Sequence, residues 1–298
     1  MEKENDCIPR GIYNISMRLE YYNNGGTKSM GLNERGHILK QAIKWVLDAG
    51  DMIRTKMDKP IQIETKSNPN DLVTSVDKET ESFLIKRIQA HYPDHALLGE
   101  EGHGAHITSL DGTIWIIDPI DGTMNFVHQK RHFAISIGIF HDGIGEIGIV
   151  YDVMADTLYY ASKGEGAFKN NNRLEPLNDQ VQLEKSIIGL NHLWLCENKL
   201  VDEKVMQKLV KTVRGVRSSG SAALDMAYVA EGALDAYLAM GLSPWDIAGG
   251  TVLVNEVGGR TTNHLGEPLH MLKRNSLLTS RNSIHSDLIQ QFLKKGQK

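Results

Sequence analysis

The chain has 298 residues, 41% of them hydrophobic and 23% charged, a composition typical of a soluble globular protein with room for two subdomains. Its 33 basic and 37 acidic residues give a net charge of −4, which argues against a nucleic-acid partner or an anionic membrane surface. No apolar run reaches transmembrane length, and two distant cysteines, Cys7 and Cys196, favour a cytoplasmic location over a disulfide framework.

Regular structure is predicted to begin near Gly36. Residues 1–35 are polar, weakly patterned and lack a signal-peptide core, so we interpret them as a flexible extension. Apolar residues at helical spacing predict helices over 36–57 and 75–91. Between these helices we expect a short strand at 61–65 and a polar loop at 66–71, whose composition fits either a flexible lid or an ordinary turn.

The middle of the chain has the patterns of strands. Residues 114–117 form a short, wholly apolar run, as expected of a strand that is buried on both faces. Strands over 133–140 and 145–153 flank an Asp-Gly pair at Asp142, which predicts a hairpin. A further strand at 158–161 completes the sheet of this half.

The second half alternates between strands and helices. The predicted strands are 186–190, 233–238 and 277–279, and the predicted helices are 198–213, 219–231, 244–257 and 284–293. Alternation of this kind predicts an α/β protein in layers, with an N-terminal subdomain at 36–180 and a C-terminal one at 181–298.

Carboxylates next to turn residues occur at four places, and the pair Asp118 and Asp121 is the most informative. Pro119 restricts the backbone between the two aspartates, so we expect a rigid turn directly after the buried strand. Gly122 allows close approach of a ligand, and a helix that opens at Thr123 would direct N–H groups toward a phosphate. Oxygen ligands on a rigid turn suit Mg²⁺.

Each of these carboxylates also has a purely structural interpretation. Asp77 follows Thr74 by three residues and completes a helix-capping pattern. Asp246 follows Ser243 in the same way, with Pro244 at the first helical position. Taken singly, most of these positions favour the structural interpretation.

The combination of motifs resembles the inositol monophosphatase family. The matching segments are Asp71 to Asp77, Gly99-Glu100-Glu101, Trp115 to Phe126 and Trp245-Asp246, in this order. The resemblance runs from about residue 36 to the C-terminus and implies an αβαβα sandwich with phosphoric monoester hydrolase activity. It also implies sensitivity to lithium and a homodimer.

The resemblance implies specific roles in a site with two to three Mg²⁺ ions. The first metal would be bound by Glu100, Asp118 and the Ile120 carbonyl, the second by Asp118, Asp121 and Asp246, and a weaker third would lie near Glu100. Asp77 and Thr123, with Glu100, would serve catalysis by orienting and deprotonating the attacking water. Substrate contacts would come from Asp121, Gly122, Thr123, Ser221, Ala222 and Asp246.

Several substrates are consistent with the resemblance. Family members that act on inositol monophosphate carry a Glu where this chain has Ala239, seven residues before Asp246. Inositol monophosphate is the leading candidate; fructose 1,6-bisphosphate, NADP and phosphoadenosine phosphate are alternatives. A phosphatase-like regulatory scaffold is the non-enzymatic alternative, and Lys66 in the loop before Asp77 is either a phosphate contact or a surface lysine.

Overall fold

The computed structural model describes residues 29–57, 59–65 and 72–298. Seven α-helices lie within these residues: α1 (Leu32–Met57), α2 (Ser75–His91), α3 (Thr123–Gln129), α4 (Glu203–Thr212), α5 (Ala222–Ala230), α6 (Pro244–Glu256) and α7 (Asn282–Leu288). The predicted extension falls mainly on residues 1–28, which lie outside the described residues, as does the predicted loop at 66–71.

Fourteen strands form three sheets within the described part of the chain. They are β1 (Ile63–Thr65), β2 (Leu72–Thr74), β3 (Ala96–Gly99), β4 (Thr113–Asp121), β5 (Ala134–His141), β6 (Ile144–Asp152), β7 (Thr157–Ser162), β8 (Gly166–Lys169), β9 (Asn172–Arg173), β10 (Ile187–Leu190), β11 (Gly215–Arg217), β12 (Ala236–Leu242), β13 (Arg260–Thr262) and β14 (Asn275–Ser280). β1 and β2 form a separate hairpin.

The larger sheet follows the chain from strand to strand. Its order is β3-β4-β5-β6-β7-β8-β9, with β3 parallel to β4 and every later pair antiparallel. The predicted hairpin between β5 and β6 is confirmed, and its turn residues Asp142 and Gly143 have φ of 47° and 79°. Positive φ at both central residues matches the right-handed twist of the two strands.

The smaller sheet has the order β11-β10-β12-β14-β13. β10 is parallel to both of its neighbours, whereas β14 is antiparallel to β12 and β13. Helices α5 and α6 lie between this sheet and the larger one.

Five layers stack through the molecule, so the predicted αβαβα architecture is confirmed. α1 and α2 cover one face of the larger sheet, and α5 and α6 fill the space between its other face and the smaller sheet. α4 and α7 pack on the outer face of the smaller sheet. None of the helices in the described residues combines the length and apolar character that a membrane span requires.

Several element boundaries differ from those predicted. α1 begins at Leu32, four residues before the predicted start, and its Arg35 is buried in an ion pair with Glu146 of β6. α4 begins at Glu203 instead of residue 198, because the Asp202 side chain accepts a hydrogen bond from the Lys204 N–H at 2.9 Å and caps the helix there. Six strands were not predicted, since runs of two to four residues are too short to show a distinctive pattern; they are β2, β3, β8, β9, β11 and β13.

Candidate active site

The strand β4 carries both aspartates of the central motif. Its nine residues are all buried, and the pairing with β5 is regular up to Asp118 opposite Ser136 and resumes at Asp121 opposite Ala134. The sequence predicted that the strand would end before Asp118. That boundary was wrong: the strand continues through an irregularity at Pro119, which has no N–H to donate to a neighbouring strand.

Asp118 is almost fully buried at this irregularity. The Ile120 N–H donates to Asp118 Oδ1 at 3.0 Å, which fixes the orientation of the carboxylate within the bulge. Burial raises the pKa of Asp118 well above its usual value, and the nearby carboxylates of Glu100, Asp121 and Asp246 raise it further. The site therefore disfavours an isolated negative charge at Asp118.

Asp121 joins β4 to the start of α5. The Ser221 hydroxyl and the Ala223 N–H both donate to Asp121 Oδ2, the latter at 2.7 Å. Burial raises the pKa of Asp121 to about 6, although these hydrogen bonds oppose the effect. Ser221 also caps α5, since its oxygen accepts from the Leu224 N–H at 3.2 Å. The predicted substrate contacts Ser221 and Ala222 thus lie beside Asp121.

Asp246 comes from the first turn of α6. Ser243 and Asp246 form a capping box, in which the Ser243 N–H donates to Asp246 Oδ2 at 2.7 Å, and Pro244 occupies the first turn. Burial, followed by the charge of Asp121, raises the pKa of Asp246 well above its usual value. The helix cap predicted from the sequence is confirmed, and it orients the carboxylate toward β4.

The three aspartates converge from two elements that are far apart in the sequence. Asp118, Asp121 and Asp246 each offer one carboxylate oxygen, and these oxygens all lie within 4.8 Å of one another. Glu100 hydrogen-bonds to the Asp118 side chain, although it is not part of this three-residue cluster. Clustered carboxylates that are buried or half-buried repel one another, and a hard divalent cation such as Mg²⁺ relieves that repulsion with the oxygen ligands it prefers.

A second group of side chains lies beside the cluster. The Thr123 hydroxyl can donate a hydrogen bond to either of two oxygens. Asp77 Oδ1 lies 3.2 Å from the hydroxyl oxygen, and the Ile120 carbonyl oxygen lies 3.1 Å from it. Asp77 Oδ2 accepts from the Thr74 N–H at 2.9 Å and from the Thr74 hydroxyl, which completes a capping box on α2. Burial raises the pKa of Asp77 to about 7. Of the predicted residues, Thr123 therefore contacts both Asp77 and Ile120.

Gly122 separates the aspartates from α3, and its backbone conformation would be strained with any larger residue. Its φ of 95° lies in the left-handed region, and an added Cβ would lie 3.3 Å from the carbonyl oxygens of His132 and Gly220. Asn125 holds the same two segments together, because its amide donates to the His132 carbonyl at 2.7 Å and to the Ser219 carbonyl at 2.8 Å.

Ala239, where the resemblance to inositol-specific members implies a glutamate, lies on β12. Ala239 is fully buried and pairs with Leu277 of β14. Its side chain belongs to the core between the sheets, together with Tyr237, which is on the same face of the strand. The strand therefore has an alanine methyl at the position where the resemblance to inositol-specific members implies a glutamate.

Two buried acidic residues near the site were not singled out from the sequence. Glu81 lies one turn after Asp77 on α2 and is fully buried. Asp225 lies in α5 and is 3% exposed, and burial raises its pKa to about 7. Both occur at helical spacing from a residue already identified, and an acidic side chain on an otherwise apolar helix face is the signal that could have found them.

The chain is similar in sequence and in overall fold to inositol monophosphatases. Residues 34–297 match the model of the inositol monophosphatase family. The inositol-1-monophosphatase of Bacillus subtilis (strain 168) is 54% identical over 252 residues, which cover 85% of this chain and 95% of that protein.

Solved structures show the same similarity. SaIMPase-II bound to inositol monophosphate is 44% identical with a TM-score of 0.78, and the match covers 87% of this chain and 94% of that one. SaIMPase-II bound to 2′AMP is 44% identical with a TM-score of 0.80, covering 87% and 95% of the two chains.

Proposed function

This chain belongs to the inositol monophosphatase family and is a phosphatase that hydrolyses phosphate monoesters, and from that premise we propose that it acts on inositol monophosphate with Mg²⁺ as its cofactor. The observation that carries the proposal is the convergence of Asp118, Asp121 and Asp246, whose carboxylate oxygens lie within 4.8 Å of one another. The donor set is all oxygen, which fits Mg²⁺ and disfavours a zinc site.

The proposed metal ligands follow from the arrangement of the carboxylates. Asp118 would serve two ions, with Glu100 and the Ile120 carbonyl on one side and Asp121 and Asp246 on the other. A third, weaker ion near Glu100 remains part of the proposal. When bound, Mg²⁺ supplies Lewis acidity toward phosphate oxygens and lowers the pKa of a coordinated water.

The chain's own residues would orient the water and the substrate. Thr123 has its hydroxyl between Asp77 and the Ile120 carbonyl, where it can hold a water molecule and pass a proton to Asp77. The raised pKa of Asp77, about 7, suits a group that accepts a proton near neutral pH. Gly122 and Thr123 would contact the phosphate, and Ser221 and Ala222, with Asp121 and Asp246, would contact the alcohol part of the substrate.

A second class of substrate is favoured by a specific observation. A relative that is 44% identical has been solved with 2′AMP as well as with inositol monophosphate. Ala239 offers no carboxylate to a sugar hydroxyl, and a site that lacks such a partner discriminates less among substrates. We therefore include small nucleotides such as 2′AMP in the proposed substrate range, beside the NADP, fructose bisphosphate and phosphoadenosine phosphate expected from the resemblance.

Two further proposals concern assembly and location. We propose a homodimer, which the resemblance to the family supports, and a cytoplasmic location, which the sparse, distant cysteines support. Size-exclusion chromatography with light scattering would test the first, and fractionation of cells would test the second.

The first test of function is phosphate release in Mg²⁺ and in EDTA, measured on inositol monophosphate, 2′AMP, NADP, fructose bisphosphate and phosphoadenosine phosphate. We expect turnover that requires Mg²⁺. Turnover should fall at least about 100-fold in Asp118→Asn, because removing a metal ligand should reduce activity more than removing a residue that hydrogen-bonds to a ligand. Asp94→Asn is the matched control because Asp94 is exposed. Normal turnover by Asp118→Asn would overturn the proposed site.

A further inference from the structure

A fully buried carboxylate, Glu81, lies behind the loop that carries Glu100. It is in α2, four residues after Asp77, so the two side chains lie on the same side of the helix. Within the described residues no lysine or arginine pairs with it. Burying a carboxylate that has no permanently charged partner is costly, and such a residue is retained where its hydrogen bonds fix a particular geometry.

The partners of Glu81 all belong to the loop after β3. Glu81 Oε2 accepts from the Glu101 N–H at 2.8 Å, and Glu81 Oε1 lies 2.8 Å from Nδ1 of His103. The same loop is closed by a backbone bond of 3.0 Å from the Gly99 N–H to the His103 carbonyl. One carboxylate therefore holds two points of a loop that begins directly after Gly99.

Gly99 shows how closely this carboxylate packs against the backbone. A Cβ added at Gly99 would lie 2.5 Å from both the carboxyl carbon and Oε2 of Glu81. Any other residue at this position would displace the carboxylate or the strand end. The glycine and the buried acid thus form one contact, and that contact lies next to Glu100.

Glu100 connects this contact to the site. Its N–H donates to the Ile117 carbonyl at 3.3 Å, and its side chain hydrogen-bonds to Asp118. On one side of Glu100, the backbone of Gly99 packs against the Glu81 carboxylate. On the other side, the Glu101 N–H donates a hydrogen bond to the same carboxylate. The direction in which Glu100 extends toward Asp118 therefore depends on where the Glu81 carboxylate lies.

We propose that Glu81 is a positioning residue that presents Glu100 to the metal ions of the site. This inference rests on the proposed function. Helix α2 would then contribute to the site through two residues. Asp77 contacts Thr123 directly, whereas Glu81 acts on Glu100 through the backbone of Gly99 and Glu101. Groups that support a metal ligand in this way change metal affinity by about 10–100-fold when they are removed.

The test is the dissociation constant for Mg²⁺, measured by calorimetry on the full chain well below the unfolding temperature of each variant. Glu81→Ala should weaken Mg²⁺ binding by about 10–100-fold. Glu81→Gln should stay within a few-fold of the wild type, because the amide can accept from the Glu101 N–H and donate to Nδ1 of His103 in its other tautomer. Glu79→Ala, at an exposed position of the same helix, should bind Mg²⁺ like the wild type.

Gly99→Ala tests the same contact from the other side, should Glu81→Ala fail to fold. The added methyl group displaces the Glu81 carboxylate, so Mg²⁺ binding should again weaken. In the double variant Glu81→Ala/Gly99→Ala the methyl group at residue 99 meets no carboxylate. The effects of the two substitutions on Mg²⁺ affinity should therefore not add.

Two different results would contradict the inference. A wild-type protein that binds Mg²⁺ and releases phosphate, with wild-type Mg²⁺ affinity in both Glu81→Ala and Gly99→Ala, overturns the positioning role alone. A wild-type protein that neither binds Mg²⁺ nor releases phosphate overturns the proposed function and the positioning role with it.

Discussion

Two aspartates of the site each combine a structural contact with a place in the carboxylate group. Asp77 accepts the Thr74 N–H with one oxygen and the Thr123 hydroxyl with the other, and Asp246 accepts the Ser243 N–H while it faces Asp118 and Asp121. Exposed N–H groups at a helix start favour a carboxylate. The structural and functional interpretations of these residues are therefore compatible, because the hydrogen bonds of a helix cap also fix the position of the carboxylate in the site.

His285 supplies a pH-dependent contribution to stability that is separate from the site. It is fully buried, with Nε2 3.0 Å from the Thr262 hydroxyl and Nδ1 2.7 Å from the Ser280 hydroxyl. Burial, followed by the charge of Arg260, lowers its pKa to about 4. The folded pKa is below the unfolded value, so stability falls as the pH drops from about 6.5 toward 4, by up to about 1.4 kcal/mol per pH unit.

The prediction is tested with His285→Gln, whose side chain does not titrate. The free energy of unfolding should fall less between pH 7.5 and pH 5 in this variant than in the wild type. In the wild type, His285 gains a proton in the unfolded chain but not in the folded one, whereas glutamine gains none in either. His37→Gln, at an exposed position of α1, is the control and should keep the wild-type pH dependence. An unchanged slope in His285→Gln would show that His285 is protonated in the folded state.

At the scale of elements, α6 must approach the larger sheet closely for Asp246 to reach β4. A Cβ added at Gly249 would lie 2.8 Å from the Ile149 carbonyl oxygen and 2.9 Å from that of Ile137. The Ser136 hydroxyl also donates to the Trp245 carbonyl at 3.3 Å, beside Asp246. Glycine in this helix reduces helix propensity but permits backbone contact with β5 and β6.

Gly249→Ala should therefore displace α6, lowering the free energy of unfolding by about 1–3 kcal/mol and weakening Mg²⁺ binding. Gly36→Ala in α1 is the matched control, because nothing lies within 4 Å of a Cβ at that position and alanine is the better helix former. Chemical denaturation and calorimetry measure the two quantities. Greater stability in Gly249→Ala than in the wild type would contradict the close packing.

At the scale of the whole molecule, the site costs stability unless a cation is bound. The pKa values of Asp77 and Asp121 are raised to about 7 and about 6, above those of an unfolded chain. Each raised pKa means that stability is lost as the pH rises from about 4 to the folded pKa. Bound Mg²⁺ should offset this loss, since it competes with protons for the carboxylates.

The difference in unfolding temperature between samples with Mg²⁺ and with EDTA should therefore grow from pH 5 to pH 8. The comparison at each pH cancels other titrating groups, including His285, because they contribute equally to both samples. Ligand linkage predicts about 2.7 kcal/mol of stabilisation at a concentration 100 times the dissociation constant. A difference that stays constant with pH would show that binding displaces no protons.

Local sequence patterns were sufficient for much of the fold. The periodicity of α2 predicted its ends at Ser75 and His91, and the Asp-Gly pair at Asp142 predicted the β5–β6 hairpin. Both depend on residues that are neighbours in the chain, so they follow from local backbone geometry. The ordered motifs around Asp118 and Asp246 likewise identified the family and the class of reaction.

Contacts between distant segments were decided by the tertiary structure. The strand carries Asp118 and Asp121 through an irregularity whose form depends on pairing with β5, and no local pattern specifies that partner. Ser221 reaches Asp121, and Glu81 reaches the Glu101 N–H, only because α5 and α2 pack where they do. The sequence by itself determined the family, the class of reaction and the candidate residues of the site, whereas packing of helices on sheets determined the distances between their side chains, because burial and hydrogen bonding between remote residues depend on the whole fold.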